Sequence, residues 1–164
     1  MTLPHSLTYN PIDMVEHIFN DRSFELERRG INELAVEVQT RAAHNMLLFF
    51  AWEEHIKCLH ISCMMEIETT DAGKSQIFEL LALANEDLWL GHFSYWKEEN
   101  MPLFKHSMLL ENKEDISHHK LTRTINIAIE ECERMYPAFK DVLQNGTPPH
   151  QSLYPLTLVT VGQA

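Results

Sequence analysis

Residues 71–110 read DAGKSQIFELLALANEDLWLGHFSYWKEENMPLFKHSMLL, and the hydrophobic period changes within them. Ile77, Leu81, Ala84 and Leu88 fall at spacings of three and four, the period of one helix face. Thr70 or Asp71 offers a side-chain oxygen to the unpaired N–H groups at a helix start. Gly91 supplies the residue that takes a left-handed C′ conformation without strain. The spacing therefore predicts a helix over Asp71–Leu90. Beyond it Phe93 and Tyr95 alternate with His92, Ser94 and Trp96. Glu98-Glu99-Asn100 makes a turn. Phe104, Met108 and Leu110 then alternate with Leu103, Lys105 and Ser107 on a return strand. A helix feeding an antiparallel hairpin is the unit around which the chain is built.

Upstream, Met1–Asn10 lacks periodicity and is expected to fray. Pro11–Asn20 predicts a short helix, with Pro11 at its first position and Met14, Val15, Ile18 and Phe19 as its apolar stripe. Phe24–Arg28 and Glu33–Gln39 alternate apolar and polar residues on either side of the turn Gly30-Ile31-Asn32, as half-buried strands do. Met46–Trp52 is apolar on both faces, which suits the middle of a sheet or a dimer contact. Lys57–Glu68 alternates with Leu59, Ile61, Cys63, Met65 and Ile67 inward. Downstream, Glu114–Asn145 predicts a long helix with Leu121, Ile125, Ala128, Cys132, Met135, Phe139 and Leu143 on one face. Pro137 predicts a kink near Tyr136, because proline removes a backbone donor and clashes with the preceding turn. Gly146-Thr147-Pro148-Pro149 breaks the chain, and His150–Ala164 reads as a short helix or an extended arm.

The order α-β-β-β-β-α-β-β-α, with short turns between sequential strands, predicts an α+β fold. An antiparallel sheet of about six strands carries its helices on one face. One domain over 1–164 is expected, with an ordered core at about 10–145 and a C-terminal arm at 146–164. A chain of 164 residues buries roughly 68–70% of its unfolded surface, enough for a core without staples.

The net charge of −11 disfavours nucleic acid and anionic membranes as partners, since both demand a basic surface. Arg28-Arg29 with Arg41 is the only modest basic candidate. No run of about 18 apolar residues is present to span a membrane. Three cysteines, Cys58, Cys63 and Cys132, with no secretory signal, suit a reducing cytoplasm. Cys58 and Cys63 fall on opposite faces of a strand and do not pair easily.

Ten histidines raise the question of a metal. His118 and His119 are adjacent and diverge by about 100° on a helix. Neither His-Glu-x-x-His nor Cys-x-x-Cys occurs. His55, Cys58 and His60 near one turn allow only a weak site, so no metal and no cofactor is expected. Most carboxylates fall in turns or at helix ends. Glu86-Asp87, late in a helix where negative charge opposes the macrodipole, is expected to contact a Lys or Arg. Ser62, Ser94 and Cys63 lack a nucleophile elbow or triad context. Gly73-Lys74-Ser75 lacks the upstream glycine of a phosphate-binding loop. Trp89 and Phe93 read as core residues at a helix–strand joint. Trp96 has the opposite parity from Phe93 and Tyr95, so one hairpin face leaves aromatic surface exposed or covered. The cover is another chain or Leu153–Val161 of the same one.

The runs Asn10–Val15, Glu33–Glu37, Leu48–Trp52, Asn85–Phe93, Pro102–His106 and Glu131–Phe139 resemble, in order and spacing, the YbjN-domain family of bacterial sensory transduction regulators. The resemblance spans about residues 10–140. It implies a fold like that of the type III secretion chaperones, with helices against a curved antiparallel sheet, often dimeric. It brings no catalytic residues with it. The expectation is a cytoplasmic, non-enzymatic protein-binding or chaperone-like module, a homodimer, regulating signalling or a stress response. Its partner surface is expected at Trp52, Phe93, Tyr95, Trp96 and Leu103. The alternative is a small-ligand protein or enzyme with a carboxylate and histidine pocket.

Overall fold

Asn10 starts the first helix and ties it to the sheet. Its side-chain oxygen accepts from the Ile12 N–H at 2.9 Å, while its amide nitrogen donates to the Ile31 carbonyl and to Asn32 Oδ1 in the first hairpin turn. In the computed structural model, residues 9–22 and 24–161 are described, those at 113 and 157–161 by backbone alone. Most of the expected frayed segment Met1–Asn10 lies outside them. The elements run α1 (Pro11–Asn20), β1 (Leu26–Gly30), β2 (Glu33–Gln39), β3 (Asn45–Glu53), β4 (Cys58–Met65), α2 (Asp71–Lys74), α3 (Ile77–Glu86), β5 (His92–Trp96), β6 (Met101–Leu109), a 3-10 turn at Lys113–Asp115, α4 (His118–Asn145) and α5 (Pro149–Val161).

The six strands form one antiparallel sheet in the order β1-β2-β3-β4-β6-β5. The order follows from the connections. β1 to β4 are joined by tight turns and pair in sequence. The chain leaves the sheet through α2 and α3, enters β5 at the far edge and returns as β6, which closes against β4. Alternation then decides the faces. Leu34, Val36 and Val38 of β2, Met46, Leu48, Phe50 and Trp52 of β3, and Leu59, Ile61, Cys63 and Met65 of β4 are all buried. α1 packs on β2 and β3, α4 packs on β4 and β6, and α3 sits beside β5. The helices thus share one face, giving the expected two-layer α+β fold.

The predicted helix over Asp71–Leu90 is broken in two and ends early. The Thr70 hydroxyl caps α2 at the Gly73 N–H and also lies 3.0 Å from the Leu143 carbonyl, pinning this turn to α4. Gly73 lies so close to α4 that an added Cβ would stand 2.2 Å from the Leu143 carbonyl oxygen. α2 is therefore directed by its packing, and Ser75-Gln76 redirects the chain into α3. That helix ends at Glu86, since the Asn85 side chain turns to bind β5. Gly91, at φ +69°, serves the turn into β5 instead of the helix end.

α4 starts at His118, later than the predicted Glu114. Ser117 caps the Lys120 N–H at 3.1 Å, and Asn112 with Asp115 forms a separate capping box around the 3-10 turn. The helix runs through Pro137 and ends at Gly146, whose φ of 70° closes it. The tail offered as helix or arm is helical over Pro149–Val161. Asp141 on α4 fixes its start, accepting from Ser152 Oγ at 2.6 Å and Thr147 Oγ1 at 3.0 Å. A hydrogen bond from Asn145 first, then those from Ser152 and Thr147, hold the Asp141 carboxyl below its usual range.

Candidate functional site

The side of the sheet away from the helices is the first candidate. Alternation places Ala35, Leu47, Phe49, Ala51, His60, Ser62, Met64, Leu103, Lys105 and Trp96 on it. Phe49 is on β3 and Trp96 on β5, three strand spacings apart, or about 14 Å of sheet. Their ring centroids are nonetheless only 6.2 Å apart, edge to face. The two side chains must therefore reach toward each other across β4 and β6. The register places Met64 and Leu103 opposite one another between them, and both are over 90% buried although no helix covers them. On the other side the Arg29 guanidinium lies 5.2 Å from the Phe49 ring, at cation–π range. Arg29, Phe49 and Trp96 thus form a continuous contact across the uncovered face.

Lower on the same face, His60 is bound through both ring nitrogens. Nδ1 lies 2.9 Å from Ser107 Oγ and Nε2 lies 3.0 Å from Ser62 Oγ. Burial lowers the His60 pKa first, and Lys105, His92 and His106 add to the effect. A neutral imidazole donates through one nitrogen and accepts through the other, which satisfies both serines. No carboxylate touches this ring among the described residues, so the group lacks the orienting acid of a triad. Among the described residues no three His, Cys, Asp or Glu side chains are placed to hold a metal ion.

The second candidate is a groove of about 620 Å³ between α3 and β5, lined by Lys74, Ile77, Phe78, Leu81, Ser94, Tyr95, Lys97 and Asn100. This lies within the roughly 300–1,000 Å³ usual for ligand sites. Phe78 on its wall is 84% exposed.

The residues expected to bind a partner fall at different depths. Trp52 and Phe93 are buried on the helix-covered side, and Phe93 packs on Phe104 and Phe139 with ring centroids 5.6 and 5.1 Å away. Leu103 is buried on the uncovered side. Tyr95 is half-buried and lines the groove, and Trp96 is 36% exposed.

Two neighbouring expectations are corrected. Trp89 is not a core residue but wholly exposed, because the helix ends before it and the chain turns outward there. Glu86 and Asp87 are exposed, and no Lys or Arg pairs with them among the described residues.

Phe49, Phe78 and Asn85 carry no site expectation from the sequence, and Arg29 is expected there only as part of a basic pair. The available signal was Phe78, an aromatic residue off the Ile77–Leu81–Ala84 stripe.

Residues 11–141 match the YbjN family model, "Putative bacterial sensory transduction regulator". The chain belongs to the YbjN family. Among solved structures the fold is similar to that of "YbjN, a putative transcription regulator from E. coli", with TM-score 0.55 and 9% identity over 80% of this chain and 90% of that one. At that identity the likeness concerns the fold alone. No curated protein matches the chain in sequence. No helix among the described residues is long and apolar enough to cross a membrane.

Proposed function

We propose that this YbjN-family protein is a cytoplasmic, non-enzymatic regulatory module that acts by binding a polypeptide, a second copy of itself included, through the uncovered face of its sheet. The observation that supports this is the Arg29–Phe49–Trp96 contact. Aromatic and Arg side chains dominate binding energy when an interface desolvates them. Here they stand together on a face that no helix shields, already ordered by one another. Chaperone-like action would use the same face.

The test combines light scattering with cross-linked capture, using wild type and Trp96→Ala. Expected is a dimer, or one recovered protein, with wild type and its loss with the variant. Trp96 is partly exposed, so the variant keeps the fold, which circular dichroism verifies. A wild-type monomer that recovers the same proteins as Trp96→Ala would refute the reading.

A further inference from the structure

The groove between α3 and β5 has a chemistry of its own. Asn85 Nδ2 donates to the Phe93 carbonyl at 3.0 Å, and the Phe93 N–H donates to Asn85 Oδ1 at 2.6 Å. The Phe93 backbone therefore points away from β6 toward α3, and the Asn85 side chain occupies it as a neighbouring strand would. Antiparallel strands turn alternate residues to alternate sides. Tyr95, two residues on, consequently presents its N–H and C=O in the same outward direction. It faces Pro102 across the ladder, a residue with no N–H to offer. No partner for the Tyr95 backbone outside that ladder is found among the described residues. The Tyr95 hydroxyl is buried and has no hydrogen-bond partner either. So the Tyr95 edge of β5 carries no protein partner beside an apolar wall of Ile77, Phe78 and Leu81.

We propose that this groove takes an extended peptide segment that adds as a strand to the outer edge of β5 at Tyr95, next to Lys97 in the following turn, with an apolar side chain against Ile77, Phe78 and Leu81 and acidic residues flanking it. An extended backbone supplies both a C=O for the Tyr95 N–H and an N–H for its C=O. A small amphiphilic acid has no donor for the carbonyl, which favours the peptide. Asn85 sets the limit of the added strand by occupying Phe93. The charge of the segment follows from the lining. Lys74 and Lys97 border the groove and no carboxylate lines it among the described residues, in a chain whose net charge is −11. Lys74 is held 3.2 Å from Asp71, whereas Lys97 makes no ion pair among the described residues. This site is separate from the uncovered face, and it stands whether or not that face binds a partner.

The experiment is selection of a phage-displayed random decamer library on the full chain, followed by amide NMR titration with the enriched peptide and, in parallel, with decanoate. Expected are peptides that pair an apolar residue with Asp or Glu, shift the Tyr95, Lys97 and α3 amides, and bind at least tenfold more weakly to Phe78→Ala. Phe78 is largely exposed, so that variant folds. Absence of enrichment would overturn the proposal. So would a peptide whose shifts fall on Leu47 and Phe49 with Tyr95 unmoved, which would leave the uncovered face as the binding surface. Saturation of the groove by decanoate, with no peptide selected, would overturn it in favour of a small amphiphile.

Discussion

Replacing Asn85 by alanine removes both hydrogen bonds that join α3 to β5, at 2.6 and 3.0 Å. Each such bond contributes roughly 0.5–1.5 kcal/mol net, so the pair sums to about 1–3 kcal/mol. The site is half-buried, and water reaches the freed Phe93 groups only in part, which places the loss near the middle of that range. For a chain of this length each kcal/mol moves the melting temperature by about 2–4 °C, so Asn85→Ala is expected to melt about 4–8 °C lower. Thermal unfolding by circular dichroism measures this, and hydrogen exchange at the Phe93 amide locates it. Asn85→Asp separates the two bonds. The new carboxylate still accepts from the Phe93 N–H but sets an oxygen against its carbonyl. Its Phe93 amide should stay protected while its stability falls, whereas Asn85→Ala should lose both. An alanine variant within 0.5 kcal/mol of wild type, or one with an unchanged Phe93 exchange rate, would refute the idea that Asn85 acts as a surrogate strand.

Three further outcomes are expected. Gly73→Ala should destabilise although helix propensity alone favours alanine by about 1 kcal/mol. The new Cβ would meet the Leu143 backbone, which cannot swing aside, and overpacking of this kind costs about 1–3 kcal/mol; a raised melting temperature would contradict the close packing of α2 on α4. Acidification should weaken the fold through His60. Its pKa is lowered by burial first and by Lys105, His92 and His106 next. The unfolded chain therefore takes the proton more readily, and stability present above about pH 6.5 is lost as pH falls toward the folded value. Melting curves from pH 8 to 5 should show a shallower acid slope for His60→Gln than for wild type. Trp89→Ala should change stability by less than about 0.5 kcal/mol in a urea titration, since the side chain touches solvent all round.

The strands were legible because alternation is a local signal. Leu34, Val36 and Val38, then Leu59, Ile61, Cys63, Met65 and Ile67, read directly as one face, and all are buried. The helix expected over Asp71–Leu90 fails where tertiary contacts override the period. Nothing in the spacing of Ile77, Leu81 and Ala84 reveals that Gly73 must meet the Leu143 backbone or that Asn85 is drawn out to Phe93. The same extrapolation of the period puts Trp89 inside, where the early helix end leaves it exposed. The tail stayed ambiguous because Pro155 interrupts it and no apolar stripe marks it, whereas its helix is fixed by Asp141 from outside. The parity of Trp96 was readable from sequence. Its contact with Phe49 was not, since that needs β6 to lie between β4 and β5.

The two edges of the sheet are finished differently, and this bears on the groove. Edge strands expose unpaired backbone groups that invite pairing with another chain, and charge and bulges are the usual defences. β1 has both. Its register shifts between Arg28 and Gly30, Arg28 is drawn to Asp13 and Glu16 on α1 at 2.9 and 2.5 Å, and Arg29 pairs with Glu27 at 3.2 Å. β5 is defended at Phe93 by Asn85 and undefended two residues later, beside an apolar wall. A general need to prevent aggregation would act on both positions of so short a strand, and a second side chain from α3 at Leu81, one helical turn before Asn85, could have served Tyr95. Leucine stands there instead, and it makes the wall. The selective protection of β5 is the pattern expected of an edge kept open for a specific strand, and Leu81→Asn, which would set a surrogate at Tyr95 and remove part of the wall, should abolish peptide binding in the amide titration.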